Sequence, residues 1–237
     1  MTELIKIIKI FSEKENLQMK SFAVIGMGCF GRSLATTLND MGHEVLCIDS
    51  SEDKVADVAD KVTHAIQADA TDPAALKELG IRNFDAVVIS IGTNLESCML
   101  ITLLCKELGC AKVFVKATNE LHAKILSMIG ADKVILPEKS MGVRVAHSLV
   151  SAGIMDFIEL APDYGLVELN PPAAWYDKTL SALNLRAKFG ITVIGIKHKK
   201  DIIVSPSADD VVREGDTLII VGRNDSIARL ENKHLEK

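Results

Sequence analysis

Over roughly the first two-thirds of the chain, short apolar runs alternate with longer stretches of mixed apolar and polar residues. The runs have the length and composition of buried strands, and the mixed stretches space their apolar residues as amphipathic helices do. Strict alternation of the two predicts a doubly wound parallel sheet, covered on both faces by right-handed crossovers. The predicted strands span residues 22–25, 44–48, 63–67, 85–91, 113–116 and 134–136, and the predicted helices span 32–41, 52–60, 73–79, 94–108, 120–129 and 140–151.

Turn residues agree with this pattern. Asp72 followed by Pro73 is typical of a helix N-cap and a helix-starting proline. Glycines fall where the predicted helices end, at Gly42, Gly80, Gly109 and Gly130.

After residue 153 the pattern changes to prolines and glycines among short strands. Strands are predicted at 157–160, 166–169, 191–196, 202–204 and 217–221, with helical runs at 179–183 and 226–231. This pattern predicts a second, smaller α+β domain. We therefore expect an N-terminal extension over 1–19, a nucleotide-binding domain over 20–139, a linking helix over 140–153 and the smaller domain over 154–237. Residues 1–18 are either a short amphipathic helix or a segment preceding the true start at Met19.

Composition narrows the functional classes. The chain has 237 residues, of which 48% are hydrophobic and 25% charged, and this predicts a globular protein of two domains. The formal net charge of −5 gives no electrostatic basis for nucleic-acid binding. No apolar run approaches the roughly 20 residues that span a bilayer, so we expect a cytoplasmic location. The five cysteines form no CxxC pair, which predicts reduced thiols and no structural zinc.

The segment 26–31 has the form Gly-x-Gly-x-x-Gly, and it directly follows the first predicted strand and precedes a helix. That context favours a Rossmann-like nucleotide site. Gly26 permits a tight turn, Gly28 lets the backbone approach a pyrophosphate, and Gly31 lets helix and strand pack closely. The helix N-terminus offers main-chain N–H donors to phosphate, beside Cys29 and Phe30. The alternative is a glycine turn that has lost its ligand.

Asp49 ends the second predicted strand about 20 residues further on, where a carboxylate accepts hydrogen bonds from both ribose hydroxyls. It would repel a 2′-phosphate, which disfavours NADP. Further candidates at the carboxyl ends of the strands are Ser50, Asp69, Ala70, Thr71, Ile91, Gly92 and Lys116.

Two of these assignments have alternatives. Asp69 and Thr71 either line the adenosine pocket or only cap the next helix. Lys116 either neutralises phosphate or is a surface lysine.

No catalytic constellation is recognisable in the sequence. His43, His64, His122, His147 and His198 have no carboxylate partner at a suggestive spacing, and no nucleophile elbow or metalloprotease motif is present. This favours a nucleotide-sensing protein that is not an enzyme. The rival hypothesis is a small NAD-dependent oxidoreductase.

Together with the glycine segment and Asp49, further segments resemble those of the RCK regulatory proteins, which combine TrkA-N and TrkA-C domains and gate bacterial potassium transporters. The resemblance is closest to the cytosolic subunits of Ktr-type uptake systems and covers nearly all of residues 20–231. The segments that carry it are 80–85, 91–92 with Asn94, 116–117, 129–132, 137–139, 185–190 and 204–206.

The resemblance implies a homodimer that assembles into an octameric ring, docked at the inner face of the membrane under a membrane-embedded potassium transporter subunit. It implies that ATP favours the active state and ADP the inactive state, whereas other branches of the family use NADH and NAD. It also implies that Glu138 helps to hold Mg²⁺ or another divalent cation; the alternative is a helix-start carboxylate. A regulatory domain cut from a channel is a further rival, but the two-domain pattern favours a separate subunit.

One position departs from the family pattern. The Ktr-like fingerprint commonly has Arg where this chain has Cys29, and that Arg reaches the γ-phosphate across the dimer. Either Arg32 substitutes for it, or the nucleotide preference differs and NADH becomes the alternative.

The resemblance further implies that the second domain is a ligand-binding and dimerisation module, which binds cyclic di-AMP in many Gram-positive members. The candidate contacts are Asn184, Leu185, Arg186, Thr192, Val193 and Pro206. Alternatively, Arg186 pairs with Asp177 or Asp201 and only supports the fold.

Overall fold

The computed structural model describes residues 19–92, 94–150, 154–199 and 201–232. The helix considered for residues 1–18 and the predicted domain boundary near 153 therefore lie outside the described residues. The chain divides into two compact units between Pro137 and Glu138. The finer division into four segments stays a prediction.

The first unit is built on a six-stranded sheet in the order β3-β2-β1-β4-β5-β6, and every neighbouring pair is parallel. The predicted doubly wound α/β fold is confirmed. The order reverses between β1 and β4, which places the switch point of the sheet beside the first strand. The strands are β1 (Ser21–Ile25), β2 (Glu44–Asp49), β3 (His64–Gln67), β4 (Ala86–Ile89), β5 (Val113–Lys116) and β6 (Lys133–Ile135).

Helices connect these strands and cover the sheet. Alternate residues of β1 belong to different core clusters, Ala23 and Ile25 to one and Val24 to another, so both faces of the sheet are buried. Parallel strands buried on both faces read as continuous apolar runs, which is why the sequence pattern locates them. The helices are α1 (Cys29–Asp40), α2 (Glu52–Ala59), α3 (Pro73–Glu78), α4 (Leu95–Glu107) and α5 (Glu120–Ile129), with a 3₁₀ turn at Ile81–Asn83.

Local capping follows the sequence signals. The Asp72 carboxylate accepts a hydrogen bond from the Ala74 N–H at 2.8 Å, and Pro73 opens α3.

At the start of β6, the Asp132 carboxylate accepts hydrogen bonds from Lys106 Nζ at 2.9 Å and from the Val113 N–H at 2.7 Å. These hydrogen bonds, that from Lys106 foremost, lower the pKa of Asp132.

The second unit is a smaller α+β domain, as predicted. Its five-stranded sheet has the order β11-β10-β13-β8-β7, with antiparallel neighbours throughout, and β9 pairs with β12 in a separate ribbon. The strands are β7 (Ile154–Ala161), β8 (Tyr164–Leu169), β9 (Lys178–Thr179), β10 (Thr192–His198), β11 (Asp201–Val204), β12 (Val211–Val212) and β13 (Asp216–Arg223). The helices are α6 (Pro137–Val150), α7 (Leu180–Leu183), α8 (Leu185–Phe189) and α9 (Asn224–Asn232), with a 3₁₀ turn at Ala173–Trp175.

Helix α6 is tied to the sheet of this unit by an ion pair. Arg144 donates from Nε to Asp156 Oδ1 at 3.1 Å and from Nη2 to Asp156 Oδ2 at 2.6 Å. Both side chains are partly buried, and the two-bond geometry is the stronger form of such a pair.

Candidate functional site

The glycine turn between β1 and α1 is shaped by close backbone contacts. Gly26 has φ +96°, a conformation that favours glycine, and its N–H donates to the Ile48 carbonyl at 2.7 Å. A Cβ on Gly31 would collide with the Gly26 carbonyl oxygen and the Ser90 hydroxyl. A Cβ on Gly28 would meet nothing within 4 Å. Gly26 and Gly31 therefore build the turn, whereas Gly28 faces open space from which a ligand can approach.

Helix α1 begins at Cys29, three residues earlier than predicted, because the last three residues of the glycine segment are already helical. Gly28 is the N-cap and supplies no side-chain hydrogen bond. The first N–H groups of a helix have no intrahelical partner, and they carry a partial positive charge suited to phosphate. Cys29 is exposed and Phe30 half-buried at this end of the helix.

Ser90 was missed by the sequence analysis. It follows β4 directly, is 5% exposed, and donates its hydroxyl hydrogen bond to the Gly26 carbonyl at 2.5 Å. This bond joins the end of β4 to the turn after β1, at the switch point. The signal that could have identified Ser90 is a small polar residue directly after a fully apolar strand. Its partner, Gly26, lies 64 positions away along the chain, so the contact itself was not predictable.

Asp49 is buried and binds the protein's own backbone. Its Oδ2 accepts from the Met27 N–H at 2.7 Å and its Oδ1 from the Ser51 N–H at 2.9 Å, with Lys54 Nζ 3.5 Å away. The carboxylate therefore holds the glycine turn in place. Ionised carboxylates have about four acceptor positions, so the predicted ribose contact is compatible with this geometry and stays a prediction.

The segment after β3 forms a small turn of its own. Asp69 Oδ1 accepts from the Thr71 N–H at 2.9 Å and from its hydroxyl at 2.7 Å, and these bonds lower the pKa of Asp69. Because Asp72 caps α3, the alternative that Asp69 and Thr71 cap this helix is wrong. Ala70 is buried in the core, so only its main chain is available to a ligand, whereas Ser50 at the end of β2 is exposed.

The ends of β4 and β5 bring the remaining candidates to the glycine turn. Ile91 lies against Gly26, where an added Cβ would be 3.1 Å from its Cγ1. A Cβ added to Gly92 would lie 3.5 Å from Lys116 Nζ. The same Nζ atom lies 5.9 Å from the centre of the Phe30 ring. These residues therefore share one edge of the sheet, as the topology predicts.

A second candidate site lies entirely within the smaller unit. All six residues proposed for cyclic di-AMP line one open cavity of about 330 Å³. Asn184 joins α7 to α8 with φ +48°; α7 corresponds to the helical run predicted at 179–183, and α8 was not predicted. Arg186 is exposed on α8, and the ion pairs of the described residues do not include one from Arg186 to Asp177 or Asp201. The cavity is lined by Leu180, Ser181, Asn184, Leu185, Arg186, Ile191, Thr192, Val193, Pro206, Ser207 and Ala208.

His198 has a carboxylate partner that its sequence spacing does not indicate. Its Nδ1 lies 2.6 Å from Asp216 Oδ1 across the β10–β13 pair. Asp216 is buried and also accepts from the Arg213 N–H at 2.7 Å. The pair joins the ends of two strands on the sheet of the second unit.

In the described part of the chain, no three His, Cys, Asp or Glu side chains are grouped as a metal site would require. Glu138 lies in the first turn of α6, where the helix dipole favours a carboxylate, and its cation-binding role stays a prediction. Burial raises the pKa of Cys47 and of Cys98 to about 11, so both remain neutral thiols. Within the same residues no helix is long and apolar enough to cross a bilayer.

Comparison with known proteins identifies the family. Residues 22–137 match the model of the TrkA-N domain, and residues 165–234 match that of the TrkA-C domain. The Ktr system potassium uptake protein A of Bacillus subtilis is 46% identical over 217 residues, which cover 92% of this chain and 98% of that protein. Protein C of the same system and organism is 44% identical over 91% of this chain and 98% of its own length.

Solved structures agree on the fold. The crystal structure of the GsuK RCK domain superposes with a TM-score of 0.66 at 16% identity, covering 93% of this chain. The chain spans 48% of that structure's chain. The resemblance seen in the sequence is confirmed, and the chain belongs to the TrkA-N and TrkA-C (RCK) family, together with the Ktr system potassium uptake proteins A and C.

Proposed function

We propose that this protein is the cytoplasmic, nucleotide-sensing regulatory subunit of a bacterial potassium uptake transporter. In this proposal it binds ATP or ADP at the glycine turn and performs no catalysis. It works as a homodimer that assembles into an octameric ring, peripheral to the membrane through its transporter partner. The support is family membership together with relatives that are named potassium uptake proteins.

The observation that carries the nucleotide assignment is the convergence of three strand ends on the glycine turn. Asp49 fixes the turn from β2, Ser90 fixes it from β4, and Lys116 reaches it from β5. Gly28 leaves open space beside main-chain N–H donors at the N-terminus of a 12-residue helix. These residues fit a phosphate group, because the backbone can approach it closely and the helix dipole favours its charge.

The regulatory step is a change in the relative populations of two conformations. A ligand shifts such an equilibrium only by the ratio of its affinities for the two states. An affinity ratio of about 10⁴ changes the relative populations of the two states from about 1:99 to about 99:1. In the proposed ring several equivalent sites contribute to that ratio. ATP and ADP then act oppositely if only one of them stabilises the conformation that opens the transporter.

Cyclic di-AMP is the proposed ligand of the cavity in the second unit. Arg186 suits a phosphate because a guanidinium forms paired hydrogen bonds with its oxygens. Apolar side chains of the same cavity, such as Ile191 and Pro206, suit the flat faces of a base. The two ligands would then bind separate units of the same chain.

Cys29 favours a second candidate, an NAD(H)-sensing regulator of the same family. The arginine expected at this position in ATP-binding members is absent, and a dinucleotide has no γ-phosphate that would need it. The same glycine turn would hold the pyrophosphate.

The test is thermal unfolding of the purified chain with ATP, ADP, NADH, NAD and cyclic di-AMP, each with and without Mg²⁺. A ligand at 100 times its dissociation constant stabilises the folded state by about 2.7 kcal/mol. Stabilisation by ATP and ADP but not by NADH or NAD supports the proposal. Stabilisation by NADH or NAD alone favours the second candidate, and no response to any nucleotide refutes both.

A further inference from the structure

We propose that Cys105 and Cys110 form a peroxide-sensitive dithiol, which a small hydroperoxide converts into a disulfide within one chain. The inference goes beyond the proposed function, because it adds an oxidant as a second kind of chemical signal and uses no residue of the glycine turn. Both cysteines are free thiols in the structure, so the disulfide is the product of a reaction and not part of the reduced fold.

The end of helix α4 brings the two side chains together. Along a continuous helix, residues five positions apart point in different directions. Here Gly109 follows α4 with φ +82°, and the Cys110 N–H donates to the Cys105 carbonyl at 3.0 Å. This is the Schellman form of helix end, in which the two residues joined by that hydrogen bond commonly pack side chain against side chain. Cys105 and Cys110 accordingly belong to the same core cluster.

The two sulfur atoms are in contact as well. The Cys105 thiol donates a hydrogen bond to the Cys110 sulfur, and the Cys110 sulfur lies 3.7 Å from the Ile81 carbonyl oxygen. A disulfide requires Cα atoms about 4.4–6.8 Å apart, a separation found only between residues that are neighbours in space. Two residues joined by a main-chain hydrogen bond and by a contact between their thiols are neighbours of this kind.

Cys110 is the thiol of the pair that ionises more readily. The hydrogen bond from Cys105 stabilises a negative charge on the Cys110 sulfur and, with a smaller contribution from the Lys106 ammonium, holds the pKa of Cys110 below its ordinary value. Lys106 is itself paired with Asp132 at 2.9 Å, so the thiol hydrogen bond is the main cause. The same hydrogen bond, together with burial, raises the pKa of Cys105, which keeps its proton. Because the thiolate is the nucleophile, Cys110 attacks the oxidant.

A small oxidant reaches Cys110 more easily than Cys105. Cys110 is 5% exposed and follows the exposed Gly109, whereas Cys105 is fully buried on the core face of α4. This favours hydrogen peroxide, or a hydroperoxide of similar size, over a bulky oxidant such as a disulfide. Burial raises the pKa of Cys47 and of Cys98 to about 11, so these two thiols should react much more slowly.

The reaction balances with hydrogen peroxide as the oxidant. The Cys110 thiolate attacks one peroxide oxygen, the O–O bond breaks, and hydroxide leaves while the sulfur becomes a sulfenic acid. The Cys105 sulfur then attacks the Cys110 sulfur, the S–O bond breaks, and a second hydroxide leaves. The two thiol protons combine with the two hydroxide ions to give water. The sulfur atoms lose a pair of electrons, and the peroxide gains that pair.

The experiment is peptide mapping of the reduced full chain after treatment with hydrogen peroxide. Remaining thiols are blocked with N-ethylmaleimide, and the chain is digested with trypsin without reductant. Trypsin cuts after Lys106, so the two cysteines end in separate peptides, 83–106 and 107–112. The inference predicts that peroxide joins these peptides, that dithiothreitol separates them again, and that an untreated chain shows them separate.

Variants test which cysteines form the bond. Cys105→Ser and Cys110→Ser should each abolish the joined peptides. Cys98→Ser is the matched control, because Cys98 shares peptide 83–106 with Cys105 but lies two turns earlier in α4. The joined peptides should form in this control as they do in the wild type. Cys29 is exposed, so its oxidation in the same digest shows that enough peroxide was added.

Three results would overturn the inference. An oxidised Cys29 without joined peptides in the wild type would mean that the dithiol does not respond to peroxide, and this result depends on no variant. Joined peptides that disappear in Cys98→Ser would assign the bond to Cys98. Joined peptides found only in a covalent dimer on a non-reducing gel would mean that the bond forms between chains. No nucleotide is present in this experiment, so each of these results leaves the proposed function intact.

Discussion

The substitution Asp49→Ala tests whether this carboxylate holds the glycine turn as well as a ribose. In the structure Asp49 is 8% exposed and accepts hydrogen bonds from two main-chain N–H groups. Because the N–H groups of Met27 and Ser51 depend on this carboxylate, we expect the substitution to lower stability even without ligand.

The size of the expected stability loss follows from the backbone N–H groups that Asp49→Ala leaves without an acceptor. Met27 is 1% exposed, so its N–H would lose a charged acceptor at 2.7 Å without access to water. A hydrogen bond to a charged group contributes about 1.5–3 kcal/mol, and a buried donor left unpaired costs about 1–3 kcal/mol. Ser51 is half-buried and its N–H regains water, so its contribution is smaller. Removing the carboxylate should therefore lower the free energy of unfolding by about 2–4 kcal/mol.

The assay is urea unfolding of the nucleotide-free chain, with Asp60→Ala as the matched control. Asp60 is an exposed aspartate of the same unit, so its replacement should change the free energy of unfolding by no more than about 0.5 kcal/mol. If Asp49→Ala unfolds at the same urea concentration as the control, the carboxylate does not hold the turn. The ribose contact is measured separately in the wild type, by comparing ATP with 2′,3′-dideoxy-ATP. Equal affinities would refute the ribose assignment.

Three further predictions concern other parts of the chain. Gly31→Ala should destabilise the protein by about 2 kcal/mol or more in urea unfolding, because the added Cβ collides with the backbone. Gly28→Ala should lower the free energy of unfolding by at most about 1 kcal/mol and should weaken ATP binding in calorimetry. Equal stabilities of the two variants would contradict the described turn. Arg186→Ala should reduce cyclic di-AMP affinity at least about tenfold in calorimetric titration, while Lys188→Ala, an exposed change on the same helix outside the cavity, should not; equal effects would remove Arg186 from the site. Asp132 has a pKa below its ordinary value of 3.8 in the folded state, so its stabilising effect is complete above that pH and is lost as pH falls through the folded value. The difference in unfolding free energy between wild type and Asp132→Asn should therefore be constant from about pH 7 to 5 and shrink below about pH 4, and a difference that grows on acidification would contradict the assignment.

The strand and helix pattern of the first unit was predictable because burial on both faces makes each parallel strand a continuous apolar run. Val113–Lys116 and Glu120–Ile129 were predicted with the same bounds that the structure has. The candidate residues at the glycine turn were predictable for a related reason. Parallel strands end at one edge of the sheet, so polar or small residues that follow successive strands are brought together.

What the sequence could not give are contacts between residues that are distant along the chain. Ser90 holds Gly26 from 64 positions away, and Asp216 pairs with His198 only because β10 and β13 are neighbours in register. No local pattern encodes either partner. The approach of Lys116 to the first turn of α1 is undecided in the sequence for the same reason, since it depends on where Phe30 lies.

Short elements were the other source of error. The run predicted as one helix over 179–183 continues as a second helix, Leu185–Phe189, after a bend at Asn184. Asparagine tolerates the left-handed conformation at position 184. A bend at a single residue hardly changes the spacing of the apolar residues, so the sequence pattern does not show it. The two-residue strands Lys178–Thr179 and Val211–Val212 are too short to show an alternating pattern.

The central claim is that the glycine turn of the first unit binds a nucleotide and that the nucleotide is ATP or ADP. The most direct measurement is calorimetric titration of the full chain with ATP, ADP and NADH, repeated with Gly28→Ala. The account predicts saturable binding of ATP and ADP at one site per chain, weakened in the variant, with little heat from NADH. Binding of NADH alone, or ATP binding that Gly28→Ala leaves unchanged, would contradict it.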